Sequence, residues 1–254
     1  MNDLYSIITS LDLQKLPAAY CLIVSVKGST PRREGAKMLV YADGSICGSI
    51  GGGALENQVI KDALRVIQQK KPQLFRHDLL HQHNMCCGGT VQIYIEPIMT
   101  KPKLYLFGAG HTGQAISARA AGCGFDTYII DDRPEYTQQI STPDVQVMTL
   151  PFPQALKALP FDNKTFIAIL TYNHAIDRDI LFHCVKQPHA YLGMIGSQRK
   201  VEVTRKMMLE SGLTTEEEIN KINMPMGLDI HAETPEEIAI SILAKLIQVK
   251  NSQL

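Results

Sequence analysis

What this chain of 254 residues lacks narrows its class before any motif is read. No stretch reaches the roughly 18 uninterrupted apolar residues of a membrane-spanning helix, so no membrane partner is expected. Neither sign of charge is in excess: Lys+Arg and Asp+Glu both number 25. Nucleic-acid binders usually carry a net basic face, so no nucleic-acid partner is expected either. The six cysteines contain no C-x-x-C, which argues against a structural zinc ribbon. The opening stretch MNDLYSIITSLDLQKL has no basic segment, and Asp3 and Asp12 interrupt its apolar run. It does not read as a secretory signal, and a cytoplasmic location with reduced thiols is the expectation. Internal repeats and low-complexity segments are absent too.

What is present divides into two halves with different rhythms. The chain is 45% hydrophobic, enough for a full core in one large domain or two ordinary ones. Residues 3–15 have helical periodicity, with Leu4, Ile7, Ile8 and Leu11 on one face. Residues 19–28 and 36–41 read as strands, and Asp43-Gly44 as a hairpin turn. Residues 51–69 pass from a glycine cluster into a helix. TVQIYIEPI (90–98) alternates as a half-buried strand that Pro97 ends. The stretch 96–103, with two prolines, is the boundary. Beyond it LYLFGAG, DTYIID, TFIAILT and AYLGMIGS read as strands alternating with helices. That alternation marks a doubly wound parallel sheet. The last helix is announced by Thr234, Pro235 and Glu237, a capping box with proline at the first helical position. The fold class is therefore α/β: a mixed α/β domain over residues 1–98, then a Rossmann-like domain over 99–254.

Gly108, Gly110 and Gly113 form G-x-G-x-x-G between an apolar strand and a helix. Asp131 ends the next strand, close to the roughly 20 residues expected for a ribose-binding acid. Gly108 suits the tight turn, Gly110 a close phosphate, and Gly113 close helix–strand packing. His111 could meet a phosphate or merely begin the helix. Arg133 reads as a surface ion pair, with phosphate contact as the alternative. NAD(P) is a candidate occupant of this loop, and an NAD(P)-dependent oxidoreductase is the alternative function. It lacks a convincing proton-transfer constellation, and fold alone does not establish chemistry.

With these motifs the chain resembles the XdhC/CoxI family of xanthine dehydrogenase accessory proteins. The resemblance is carried in order by GSTPRREGAKMLV (28–40), GSIGGGALE (48–56), CCGGTVQIYIEP (86–97), FGAGHTGQAI (107–116), DDRPEY (131–136), YLGMIGSQRK (191–200) and ETPEEIAISILAKLI (233–247). It implies a chaperone that binds molybdenum cofactor, protects it during sulfuration by a cysteine desulfurase, and delivers it to an apo-molybdenum hydroxylase of the xanthine dehydrogenase type. It also implies a homodimer. In LTYNHAIDRDI (170–180) the family often shows a histidine soon after the threonine, where this chain has Tyr172.

Against that background Cys87, with Cys86 beside it, is a candidate soft ligand for the molybdenum of the bound cofactor. Two buried structural thiols are the other reading. Gly88 and Gly89 would let backbone approach the pterin. Arg32, with Arg33 and Lys37, forms a basic loop suited to phosphate, or a solvated turn. Gly52 opens the helix over 51–69 as an anion-binding terminus, and Glu56 either holds a donor of the site or complements the helix dipole. Ser197 and Lys200 follow a strand whose carboxyl end faces the crevice of a doubly wound sheet. His174 and Asp177, at i and i+3, form an orienting pair or a structural one. His77, His81 and His83 share no face of a single element, so residues 77–84 read as a solvated connector rather than a zinc site.

Overall fold

The computed structural model describes residues 16–81, 88–212 and 214–252. The helix expected over 3–15 and the residues Cys86, Cys87 and His83 lie outside them. The chain divides into two compact units, Met1–Thr100 and Lys101–Leu254.

The first unit holds β1 (Ala18–Lys27), β2 (Lys37–Tyr41), β3 (Ile46–Gly48), α1 (Gly53–Gln69), β4 (Gln73–Asp78) and β5 (Thr90–Ile98). The strands pair antiparallel in the order β3-β2-β1-β5-β4. Alternation decides which face is covered. Ala19, Cys21 and Ile23 of β1 and Val91, Ile93 and Ile95 of β5 turn toward Leu55, Val59 and Val66 of α1. Each fully buried aliphatic side chain there contributes about 1.5–3 kcal/mol. The Asp43-Gly44 turn forms as expected: Tyr41 N–H donates to the Ser45 carbonyl at 2.9 Å, and the Asp43 carboxylate accepts from Ser45 N–H at 2.9 Å.

Two expectations change in this unit. Pro97 lies inside β5, paired with Ala19. β4 reaches only Ile95 on the other side, so no ladder donor is required at Pro97. His77 belongs to β4, not to a solvated connector. It is only 4% exposed, with its ring 3.7 Å from the Asp62 carboxylate of α1.

The second unit holds β6 (Lys103–Phe107), α2 (His111–Ala120), β7 (Asp126–Asp131), α3 (Pro134–Thr137), β8 (Val145–Thr149), α4 (Phe152–Ala158), β9 (Phe166–Ile169), α5 (His174–Cys184), β10 (Tyr191–Met194), α6 (Gln198–Glu210), α7 (Glu216–Lys221) and α8 (Pro235–Ser252). All five strands are parallel, in the order β10-β9-β6-β7-β8. From Leu104 to Phe107 β6 is buried at every position because both of its faces are covered. Leu104 and Leu106 pack with Ile116 of α2 and Ile242 of α8. Tyr105 and Phe107 pack with Phe152 of α4 and Ile180 and Leu181 of α5. The order reverses between β6 and β9, the switch point at which open α/β sheets bind ligands. The capping box of α8 forms, with Glu237 N–H donating to Thr234 Oγ1 at 3.3 Å and Thr234 N–H to Glu237 Oε2 at 3.1 Å. Among the described residues no helix is long and apolar enough to cross a membrane.

Candidate functional site

Among the described residues, Gly88, Gly89 and Gly51 approach one loop, Gly28–Lys37. Ser29 forms a bridge with Gly88. A Cβ added to Gly89 would fall onto the carbonyl of Ser29 and lie 2.8 Å from that of Lys27, so only glycine fits this approach. From the other side, a Cβ at Gly51 would lie 2.8 Å from Pro31 Cβ. The loop thus sits between the two glycine clusters that the sequence singled out. Arg32 and Arg33 are exposed, and Lys37 is half-buried with its ammonium on the Gly35 carbonyl at 2.6 Å. Together with Thr30 and Ser49 they line a cleft of about 580 Å³. Binding sites for small molecules typically span about 300–1,000 Å³, and these donors suit an anion.

Glu56 organises the wall of that cleft. Its Oε2 accepts from Ser49 Oγ at 2.7 Å and from the N–H groups of Ile50 and Gly52 at 3.2 Å. The anion held at the start of α1 is therefore the protein's own carboxylate, and the Gly52 amide is engaged by it. Glu56 thus holds the Ser49 hydroxyl and also takes up N–H groups at the start of the helix.

The second unit repeats this device at the end of β6. Gly108 has φ +123°, and a Cβ there would fall onto the Leu170 carbonyl. Both constraints demand glycine. A Cβ at Gly113 would fall onto the Gly108 carbonyl, the close packing expected of it. At Gly110 a Cβ would meet nothing within 4 Å. Gly110 is the N-cap of α2 with no side-chain cap, and His111 is exposed as the first helical residue.

Asp131 is fully buried and faces this turn. Its Oδ2 accepts from Ala109 N–H at 2.7 Å and Arg133 Nη2 at 2.9 Å; its Oδ1 accepts from Arg133 N–H at 3.0 Å and Nε at 2.9 Å. Burial alone would raise its pKa. The hydrogen bonds from Arg133 and Ala109 and the guanidinium charge outweigh that and hold it below the usual carboxylate range. Bonding to Asp131 in turn raises Arg133 above its ordinary value. Arg133 is thus no surface ion pair, because its partner has no exposure at all. Its guanidinium carbon lies 3.9 Å from the Tyr136 ring centre and 4.1 Å from that of Tyr172. The substituted position Tyr172 therefore has a structural partner.

Lys200 is likewise engaged. Its ammonium, in a side chain 10% exposed, donates to Asp177 Oδ2 at 2.7 Å and to the Ile195 carbonyl at 2.9 Å. Asp177, fully buried, also accepts from Thr171 N–H at 2.9 Å and Oγ1 at 2.7 Å. This pair ties together the carboxyl ends of β9 and β10. Spacing suggested His174 as the partner of Asp177, but that ring is exposed and 3.8 Å away. Lys200 stands on another helix, beyond the reach of a pattern at i and i+3. Ser197 caps α6, accepting from Lys200 N–H at 3.4 Å.

Two of the other thiols, Cys21 and Cys184, are poor ligand candidates. Burial pushes Cys21 and Cys184 up to about 12, so both stay protonated at neutral pH. Among the described residues no group of three or more His, Cys, Asp or Glu side chains could hold a metal ion.

Fold and site define a two-unit α/β protein: an antiparallel domain with a basic cleft, and a Rossmann domain with a glycine-rich turn. Comparison with known proteins makes the assignment specific. The model of the XdhC Rossmann domain matches residues 104–246, and that of the XdhC and CoxI family matches residues 13–78. The chain belongs to the XdhC/CoxI family. It is 38% identical over 256 residues to the uncharacterized protein YqeB of Escherichia coli, covering 98% of this chain and 47% of that one. A probable xanthine dehydrogenase subunit from Bacillus subtilis is 31% identical over 162 residues, covering 63% and 47%. The chain thus spans about half the length of these two relatives. The molybdenum cofactor insertion chaperone PaoD of Escherichia coli is 22% identical over 289 residues, covering 93% and 84%. A crystal structure from Bacillus halodurans, described as a xanthine dehydrogenase, shares the fold with a TM-score of 0.53 at 23% identity, covering 98% of this chain and 96% of that one.

Proposed function

We propose that this chain is a molybdenum cofactor chaperone. It binds the cofactor, shields it while a cysteine desulfurase supplies the terminal sulfur, and delivers it to an apo-molybdenum hydroxylase of the xanthine dehydrogenase type. Family membership and the likeness to PaoD support the class. The observation that carries the reading to particular residues is the seating of Gly88 and Gly89 against Ser29 beside the cleft of Arg32, Arg33 and Lys37. Those donors suit the acidic edges of a pterin cofactor. Cys87, which directly precedes Gly88, is the ligand proposed for the metal, with Cys86 as its neighbour. When bound, the cofactor supplies a dithiolene-held molybdenum for the recipient enzyme. The chain's part is to hold it, keep water from it and release it, with no catalytic step of its own. The same reading takes the chain as a cytoplasmic homodimer.

The alternative, an NAD(P)-dependent oxidoreductase, finds no support at Asp131, whose acceptor positions are already engaged. The test is Cys87→Ala. Purified variant should lose molybdenum by elemental analysis and pterin fluorescence after oxidation, with an unchanged circular dichroism spectrum. Retention of both at wild-type levels rejects the thiol ligand.

A further inference from the structure

The end of β7 carries an arrangement that the chaperone reading does not use. A carboxylate offers about four acceptor positions, and Asp131 spends all four on Ala109 and Arg133. It has none left for a ribose diol, the usual partner of an acid at this place in a dinucleotide fold. Arg133 is in the opposite state. Its Nε and one Nη2 hydrogen lie on Asp131, and its guanidinium carbon packs against the rings of Tyr136 and Tyr172. Three of the five guanidinium N–H groups remain, on the outer edge. Among the described residues none of these three meets an acceptor. The side chain is 23% exposed. Tyr172 comes from the segment after β9 and donates to Asp132 Oδ2 at 3.1 Å, after β7. Strand order places β6 between these two strands, so the clamp spans the switch point. Asp132 itself lines a separate small cleft with Phe152 and Ile176.

A guanidinium fixed by two bonds to a buried carboxylate, packed against two rings and partly exposed presents its remaining donors in a fixed direction. That geometry suits a phosphate oxygen pair and offers nothing to a neutral diol, which also needs an acceptor. We infer that Arg133, positioned by Asp131 and packed against Tyr136 and Tyr172, is a phosphomonoester site. It selects ligands of the Rossmann crevice by a terminal phosphate rather than by a ribose diol. This reading stands apart from the cysteine ligand proposed in the first unit. Two sources share the chemistry: a 2′-phosphorylated dinucleotide, or the phosphate arm of a pterin.

Calorimetric titration of the full chain separates them. The probes are NADP against NAD, and a pterin phosphomonoester against its dephosphorylated form. The phosphorylated member of one pair should bind at least about tenfold tighter, and the pair showing it identifies the source. Arg133→Met should cut that preference to within about twofold. Because Arg133→Met leaves Asp131 buried without its cation, Tyr172→Ala is the second variant. It keeps the ion pair, removes one ring, and should weaken the phosphorylated ligand several-fold with an unchanged circular dichroism spectrum. Equal affinity within both pairs, or no binding of either phosphorylated probe, overturns the inference. So does a full preference that survives in a folded Arg133→Met or in Tyr172→Ala.

Discussion

The glycine loops of the two units solve one problem in two ways. In each, a strand runs into glycines, a helix follows, and a carboxylate takes the backbone donors of the turn. Among the described residues Glu56 meets neutral donors alone, namely Ser49, Ile50 and Gly52. The cations Arg32 and Arg33 stand on the neighbouring loop, exposed and lining a cleft. Asp131 brings its own cation, and Arg133 is locked to it in plane. The first loop therefore leaves basic side chains available to a ligand. The second neutralises its charge internally and leaves only one directed edge. On the proposed function, the difference is that between a cleft that admits and releases an anionic cofactor and a Rossmann turn that is self-satisfied apart from the remaining donors of Arg133.

That contrast can be broken by substitution, beginning with the largest effect. Lys200→Met leaves Asp177 buried without its cation, and breaking such a pair costs about 3–5 kcal/mol. Calorimetry should show the melting temperature falling by about 10 °C, given roughly 2–4 °C per kcal/mol at this size. A shift under about 2 °C would mean that the pair holds little. Next come the close approaches. Gly108→Ala meets both the Leu170 carbonyl and a positive φ, and should cost about 2–4 kcal/mol. Gly89→Ala meets the Ser29 and Lys27 carbonyls and the Thr30 methyl without a positive φ, and should cost about 1–3 kcal/mol in denaturant melts. Reversal of that order would contradict the account of the two turns.

The smallest effect separates the carboxylates themselves. Asp131→Asn removes charge-assisted bonds and should cost about 1–3 kcal/mol at neutral pH. The folded-state pKa of Asp131 lies below its ordinary value of 3.8. Its contribution is therefore complete above about pH 4 and is lost as pH falls through the lowered folded value. The wild-type advantage over Asp131→Asn should stay flat from neutral pH down to about 4 and shrink only below. Glu56→Gln, which meets neutral donors alone, should cost about 1 kcal/mol at pH 7.

Much of the fold was legible because its signals are local. The four apolar runs of the second unit are strands buried on both faces. Asp43-Gly44, and Thr234 with Glu237, set a turn and a cap through contacts a few residues apart. β4 and β8 escaped because they are edge strands with polar alternation; Leu74 and Val147 are exposed on them. The candidate site was legible in its glycines and much less in its side-chain partners. Glycine motifs located both turns, since close backbone approach leaves a mark in sequence. The Lys200–Asp177 pair and the Tyr172–Arg133 stack join residues 23 and 39 positions apart. No helical or strand period links such positions, so only the folded sheet brings them together.

The central claim is that this chain carries molybdenum cofactor to a hydroxylase, and transfer measures it most directly. Cofactor-loaded protein is mixed with an apo-enzyme of the xanthine dehydrogenase type, and recovered activity is compared with that from an equal amount of free cofactor. The account predicts clearly greater recovery from the loaded chain, and loss of that excess when Arg32 and Arg33 are both replaced by serine. Recovery no better than with free cofactor would contradict it.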